Sequence, residues 1–508
     1  MRISPLDLAI VIAYLVGITL FGMYFRRGQR DIRDYFLGGR TAPWWALAFS
    51  IVATETSTLT IIGTPALAYA GNLAFLQLVF GYLLGRVLIV LVLLPGYFRG
   101  ECFTAYQLIE KRFGERMRAV AAATFLVTRA LAEGVRVAAI ALVVSVVLGT
   151  SERPTVFIVI ALTLLYTFEG GMRAVIWTDV IQLILYFTGS IAAFILLLQR
   201  IPGGWAEVAQ VAAVSGHKLQ VFDLAFSLST KYTLWSGLLG GAFLTMASHG
   251  TDQTIVQRLL AARSERDSKK ALLASGIIVL VQFTLFLLIG VMLFVFAQHT
   301  PLLATGEPAD KIFPLFIVRE MPHGLAGLVL AAIVAVAMSN ASGSLNSLAA
   351  SSVLDFQRLR RPDWSGHDPD EPGRGRPPQP APMESGPAQF LARSRRATLL
   401  WGAVLLVFGM FRWGPVLEAG LTIASLPFGA LLGLFLLGTI DRRSAPRGAL
   451  GGMFAGLAAV LLVYGSTRVA FTWYVLIGAS VTVLVGALLS RIKMRAHTGA
   501  DSGAATRP

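Results

Sequence analysis

The chain has 508 residues, 55% of them apolar and only 14% charged, which excludes a string of soluble domains. Its net charge of +15 does not mark a nucleic-acid binder, because the basic residues sit in gaps between apolar runs with no interleaved aromatic platform. A single cysteine, Cys102, rules out an intramolecular disulfide and any cysteine-based metal cluster.

Runs long enough to cross a bilayer, about 20 apolar residues, recur along the chain. They lie at 6–25, 43–70, 73–98, 119–148, 154–168, 174–198, 233–255, 271–298, 322–355, 397–412, 414–439, 446–467 and 470–490. This pattern predicts one all-α polytopic membrane domain over residues 1–496, with about thirteen spans. The first run follows a lone Arg2 and has no small-residue cleavage site, so it reads as a retained helix. Positive residues collect in alternate gaps, around Arg30, Lys111, Arg263, Arg360, Arg443 and Arg491, while the gaps near Asn72, Ser151 and Gly414 are almost uncharged. Positive gaps stay cytoplasmic, which puts the N-terminus outside and the C-terminus inside a plasma (inner) membrane. An odd number of spans satisfies that orientation. Short surface helices are expected in the external gap 199–232. The Pro-, Arg- and Gly-rich stretch 357–396 and the tail 497–508 are expected to be disordered on the cytoplasmic side.

In the second run, Thr54, Glu55, Thr56, Ser57, Thr58 and Thr60 crowd between Ala53 and Ile61, followed by Gly63 and Pro65. Irregular backbone is tolerated at membrane depth only where it lines a cavity, so the cluster suggests an unwound centre with freed carbonyls. The competing reading is a kinked helix whose hydroxyls bond back to the preceding turn. Arg86 in the third run reads as a snorkelling or paired structural residue. In the fourth, Arg129, Glu133 and Arg136 share one face. They either pair among themselves or leave a guanidinium for a substrate carboxylate. Asp179 lies about two turns into the sixth run, suited either to a cation route or to pairing with an arginine. His249 and Gly250 suggest a second interruption in the seventh run. The ninth carries Ser339, Asn340, Ser342, Ser344, Asn346 and Ser347. Ser339, Ser342 and Asn346 fall on one face, a stripe fit either for a hard monovalent cation or for close helix packing.

Three strings, FSIVATETSTLTIIGTPA, GGMRAVIWTDVIQ and HGTDQTIVQRLLAARSE, together with MSNASGSLNSLAASSVLDF, resemble the sodium/solute symporter family. The resemblance runs from about Pro5 to Phe356 and more weakly to residue 490. It implies a LeuT-like fold, an inverted repeat of five plus five helices over approximately 43–198 and 233–439, with flanking helices. It also implies a sodium ion held by the carbonyls of Ala53, Thr56 and Val336 and the hydroxyl of Ser339. The family's adjacent hydroxyl is replaced here by Asn340. Asp179 and Ser342 correspond to a possible second sodium site or ion route, from which one hydroxyl is missing at Gly343. Solute contacts carried over are Glu55, Ser57, Thr58, Thr60, Gln77, Arg129, Arg136, Thr245, Ser248 and His249. The acidic–amide pair of sugar-transporting relatives falls on Leu59 and Thr60, which argues against a hexose and for a carboxylate, amino acid or similar polar solute.

The leading expectation is therefore sodium-coupled symport by alternating access, with sodium, a small solute and the bilayer as partners. No nucleic acid and no obligate protein partner are expected. A proton-coupled carrier on the same fold and a non-transporting sensor are the alternatives. The chain ends about 20 residues after its last span, which leaves little room for a signalling module. An enzyme is not expected, since no nucleophile–base pair, phosphate-binding glycine loop or HExxH string is present.

Overall fold

A computed structural model describes residues 3–24, 38–99, 105–166, 171–358, 387–411, 413–441 and 443–501, and among these the regular structure is entirely helical. The order is α1 (Pro5–Tyr24), α2 (Trp44–Glu55), α3 (Thr58–Ala70), α4 (Leu76–Arg99), α5 (Ala105–Phe113) and α6 (Glu115–Leu148). Then come α7 (Glu152–Tyr166), α8 (Gly171–Arg200), α9 (Gly204–Val214), α10 (Gly241–Gly250), α11 (Gln253–Leu260) and α12 (Glu265–His299). The last six are α13 (Ile312–Glu320), α14 (Leu325–Arg358), α15 (Pro387–Gly409), α16 (Val416–Ile440), α17 (Pro446–Ser466) and α18 (Tyr474–Asp501).

Among the described residues, eight helices are long and apolar enough to cross a membrane, and the α2–α3 pair, bent by 66°, makes a ninth. The other expected runs coincide with α1, α7, α10–α11 and α15, which are shorter or more polar. In the gap expected to be external the structure forms one surface helix, α9, and then irregular chain up to Tyr232. Helix also covers both edges of the expected cytoplasmic loop, because α14 runs to Arg358 and α15 begins at Pro387. Residues 359–386 and 502–508 lie outside the described residues, and α18 occupies the start of the expected tail up to Asp501.

Lipid is as apolar as a leucine side chain, so helices in a membrane gain little by burying apolar surface against each other. Close approach through small residues does that work instead. A Cβ on Gly81 of α4 would lie 2.2 Å from the Gly237 carbonyl, in a π-helical turn at Ser236–Gly240 that precedes α10. One on Gly290 of α12 would lie 2.2 Å from the Pro65 carbonyl. Helix α12 thereby packs on α2, α3, α4 and α8 and forms the spine behind the broken helix. Helix α14 lies against α1, α6 and α8, and α16 packs on α3, α6 and α10. Gly114, at φ 84°, makes the left-handed turn that folds amphipathic α5 back onto α6.

Candidate transport site

Helix α2 stops where its hydroxyls begin to compete for the backbone. Thr54 Oγ1 donates to Ser50 O at 2.7 Å and Thr56 Oγ1 to Val52 O at 2.8 Å. Thr56 and Ser57 are both extended, and α3 starts at Thr58. Both readings of the motif therefore hold, each for different residues: Thr54 and Thr56 bond backwards, and the chain still unwinds after Glu55. In a continuous helix the Ser57 N–H would bond to Ala53 O. Here it turns to Thr60 Oγ1 at 3.4 Å, which leaves the Ala53 carbonyl at an open helix end. The Thr56 hydroxyl is braced from behind by Gln282 Nε2 at 2.8 Å and by the Tyr186 hydroxyl at 3.1 Å.

The second interruption falls just past the expected place. Helix α10 ends at Gly250, and Asp252 caps α11 by accepting from Thr254 N at 2.7 Å. Between the two breaks lies a cavity of about 180 Å³. Glu55, Ser57, Thr60, Thr245, Ser248 and His249 line it, as do Arg129, Arg136 and Asp252. Apolar walls come from Phe75, Tyr82, Phe125, Phe283 and Phe428. At one end α3 closes on α16: Leu59 abuts Gly420 and Gly63 abuts Leu417. At the other, the wall continues to Thr124 on α6 and Thr254 on α11.

The charges in and behind this wall are ordered by pairs. Glu55 is bonded by Arg86 Nη2 and lies 3.2 Å from His249 Nε2, whose other ring nitrogen is 2.8 Å from Ser248 Oγ. Arg86 is fully buried, and its remaining donors reach Ser275 Oγ at 3.1 Å and Tyr82 O at 3.2 Å. Across the cavity, Arg129 donates twice to Ser344 Oγ, at 3.0 and 2.7 Å, and Ser344 donates to Glu133 at 2.8 Å. Arg136 Nη1 lies 3.1 Å from the same Glu133 oxygen. Its Nε has no partner among the described residues, and its side chain keeps 22% exposure to the cavity.

Asp179 is 2.8 Å from Arg258 Nη2 and accepts from Ser50 Oγ at 2.6 Å, so in this arrangement its carboxylate is occupied by protein donors. Among the described residues no bond joins it to Ser342, which is buried on α14. Gln77 stands apart from the cavity. Its amide donates to Tyr232 O at 3.1 Å and accepts from Asp223 N at 3.0 Å, holding the segment between α9 and α10. Thr58 likewise does not line the cavity, and its buried hydroxyl has no partner among the described residues. Val336, Asn340 and Ser342 all sit on α14, and the Asn340 carbonyl lies 2.8 Å from Ser344 Oγ, an alternative acceptor to Glu133 for its single proton. Ser339 is on the same helix, but its side chain lies outside the described residues.

Sequence reasoning missed three partners. Arg86 was visible as a charge at membrane depth, but nothing local pointed to Glu55. Arg258 and Asp252 stood in a quoted string without an assigned role, and only the fold sets them beside Asp179 and Arg129.

Residues 35–366 match the sodium:solute symporter family. The chain is 29% identical to a sodium/sialic acid symporter of Aliivibrio fischeri, over 96% of this chain and 93% of that one. It is also 29% identical to the human sodium/iodide cotransporter, over 90% of this chain and 68% of that one. The solved structure of a Na+-coupled sialic acid symporter, substrate-bound and outward-open, superposes with a TM-score of 0.81. It is 28% identical, with 96% of this chain and 98% of that one covered.

Proposed function

The chain belongs to the sodium:solute symporter family, and from its cavity we propose that the solute it carries with sodium is a small organic anion or zwitterion. The protein is an integral membrane transporter, not an enzyme, and sodium coupling prevails over the proton-coupled and sensor alternatives because its relatives are sodium-coupled. One observation carries the solute proposal. Glu55, which would repel an anion, is neutralised from behind by Arg86, while Arg136 faces the cavity with a single bond to Glu133. A half-buried guanidinium with donors left over suits a carboxylate. Ser57 and Thr60, at the freed start of α3, add hydroxyls and a helix N-terminus. Arg129, Thr245, Ser248 and His249 complete the proposed solute wall, and the aromatic side chains take the solute's apolar body. The relatives' named solutes, an acid and iodide, agree in sign.

Sodium is assigned to the open end of α2 and the facing part of α14. The Ala53 carbonyl, released by the turned Ser57 amide, fits a hard cation, with Thr56, Val336, Ser339 and Asn340 as its proposed companions. Bound there, the ion would supply positive charge at the break and tie α2 to α14. Asp179 acts in this reading on the route of the ion through its lock with Arg258, and Ser342 belongs to the same route. The proposed topology places the N-terminus outside and the C-terminus in the cytoplasm.

The test is thermal stabilisation and uptake in proteoliposomes, with carboxylates and their amides side by side, in sodium and in potassium. Sodium-dependent binding of acids over amides is expected. Equal binding of the amides overturns the anion assignment.

A further inference from the structure

A segment of the loop expected to be external shows a pattern that the transport cycle does not explain. From Val221 to Ser227 the chain forms neither helix nor turn, and large apolar residues stand at every second position from Phe222. Phe222, Leu224, Phe226 and Leu228 are exposed by 55, 67, 69 and 50%, while Val221, Asp223 and Ser227 between them are half-buried. Four large apolar side chains held in water by a fixed backbone would be a costly surface. The backbone is indeed fixed. Asp223 N donates to Gln77 and Asp223 O accepts from Leu234 N, while Ser227 O accepts from the Trp473 indole and Leu228 O from Ala470 N. The strap therefore crosses the outer ends of α4, the π-turn before α10, and α18.

What covers it follows from its neighbours. Phe222 stacks on Phe80, with ring centroids 6.0 Å apart. Phe80 heads the outward stripe of α4 that continues through Leu84 to the exposed Val87 and Leu91, at helical spacing. Trp235 and Leu239, one turn apart at the start of the next span, are also exposed. In an integral membrane protein such exposed apolar surfaces on spans face lipid, and tryptophan is a residue that membrane proteins enrich at the interface. The strap joins that surface at Phe222, and Phe226 lies against Trp473 with ring centroids 6.0 Å apart and its other side exposed. Its charged member, Asp223, uses its backbone N–H and C=O on the protein, and its carboxylate accepts from Ala225 N at 3.0 Å. We propose that residues 222–228 lie in the outer membrane interface, with Phe222, Leu224, Phe226 and Leu228 inserted among lipid acyl chains. The strap would then anchor Gln77, and with it the outer end of α4, to the bilayer.

The wild-type protein in phosphatidylethanolamine–phosphatidylglycerol liposomes can be photolabelled with a diazirine on the lipid acyl chain and mapped by peptide mass spectrometry. Adducts on 222–228 at a yield within about threefold of those around Val87–Leu91 are expected. A second measurement places a spin label on Leu224→Cys in a Cys102→Ser background. Oxygen should reach this label more readily than a water-soluble nickel chelate does, as at Leu91→Cys and in contrast to Thr305→Cys in the exposed loop. Nickel access equal to the Thr305 position overturns the proposal. So does shielding from both quenchers without lipid adducts, which would mean that another protein surface covers the strap.

Discussion

At the scale of single residues, the decisive contact is the Arg86–Glu55 pair. A charge pair taken out of water is tolerable only while both members are present, and removing one typically costs about 3–5 kcal/mol. Arg86→Met should therefore lower thermal stability strongly and weaken binding of an anionic solute, because Glu55 then faces the cavity unneutralised. Adding Glu55→Gln should recover most of both losses, and a double-mutant cycle measured by thermal unfolding checks it. Additive losses would show that the pair does not couple. Ser339→Ala, in contrast, removes one proposed oxygen ligand and little volume. It should raise the sodium concentration needed for half-maximal uptake while leaving expression unchanged. The residues that the sequence singled out for chemistry, from Glu55 to His249, are those in which a polar group interrupts an apolar run, and this is why they were legible. Their partners were not. Arg86 lies 31 positions from Glu55 and Arg258 lies 79 from Asp179, and no periodicity reports a contact at that distance. Gln77 shows the reverse case: the resemblance carried it over as a solute contact, and in the structure its amide is held by the backbone of a loop more than a hundred residues later.

At the scale of elements, the breaks in the second and seventh runs were legible because hydroxyls, a histidine and glycines are written where the helices stop. The π-turn before α10 was not, since it follows from the close crossing of Gly81 and Gly241 and leaves no mark of its own in composition. Two locks between elements make predictions. Asp179 joins α8 to α2 through Ser50 and to α11 through Arg258. Asp179→Asn keeps the shape and the Ser50 bond but leaves Arg258 uncompensated, so the expected result is lower stability together with altered sodium dependence of uptake. Wild-type behaviour in both assays would remove the lock from the mechanism. The other lock sits outside the spans, where Asp310 accepts from Val416 N at 3.2 Å and so ties the loop before α13 to the start of α16. Burial raises its pKa from 3.8 to about 6, with the nearby Glu418 adding to the rise against the Val416 bond. The folded protein thus holds this proton more tightly than the unfolded chain. The stabilisation is complete below the unfolded value and is lost as pH climbs to about 6, beyond which the curve is flat with respect to this group. The loss is on the order of 3 kcal/mol. Asp310→Asn should abolish that part of the slope in a thermal-shift series across acidic pH.

At the scale of the whole molecule, the closed end of the cavity depends on how near α3 can come to α16. A Cβ at Gly63 would stand 2.7 Å from Leu417 Cβ and 3.2 Å from its backbone nitrogen, so α3 cannot keep this position with any larger residue. Backbone and Cβ atoms do not move aside as the end of a long side chain does, and the helix must back away. In a carrier that works by alternating access, a substitution that disfavours one closure shifts the population towards the states in which that end is open. Gly63→Ala is therefore expected to increase access to the cavity from the side of Asn72. It should also slow net uptake, because the return through the closed state becomes less favourable. The measurement is the rate at which a membrane-impermeant thiol reagent reaches Thr60→Cys in the Cys102→Ser background, with and without Gly63→Ala. A shift of about 1.4 kcal/mol between the two populations would appear as a tenfold change in labelling rate where the open state is the minor one. Gly420 supplies the control, since there an added Cβ meets only the Leu59 Cδ1 atom at 2.7 Å, the far end of a flexible side chain. Gly420→Ala should accordingly alter labelling much less. Equal effects at the two positions would show that the closure is not set by the contact of α3 with the Leu417 backbone.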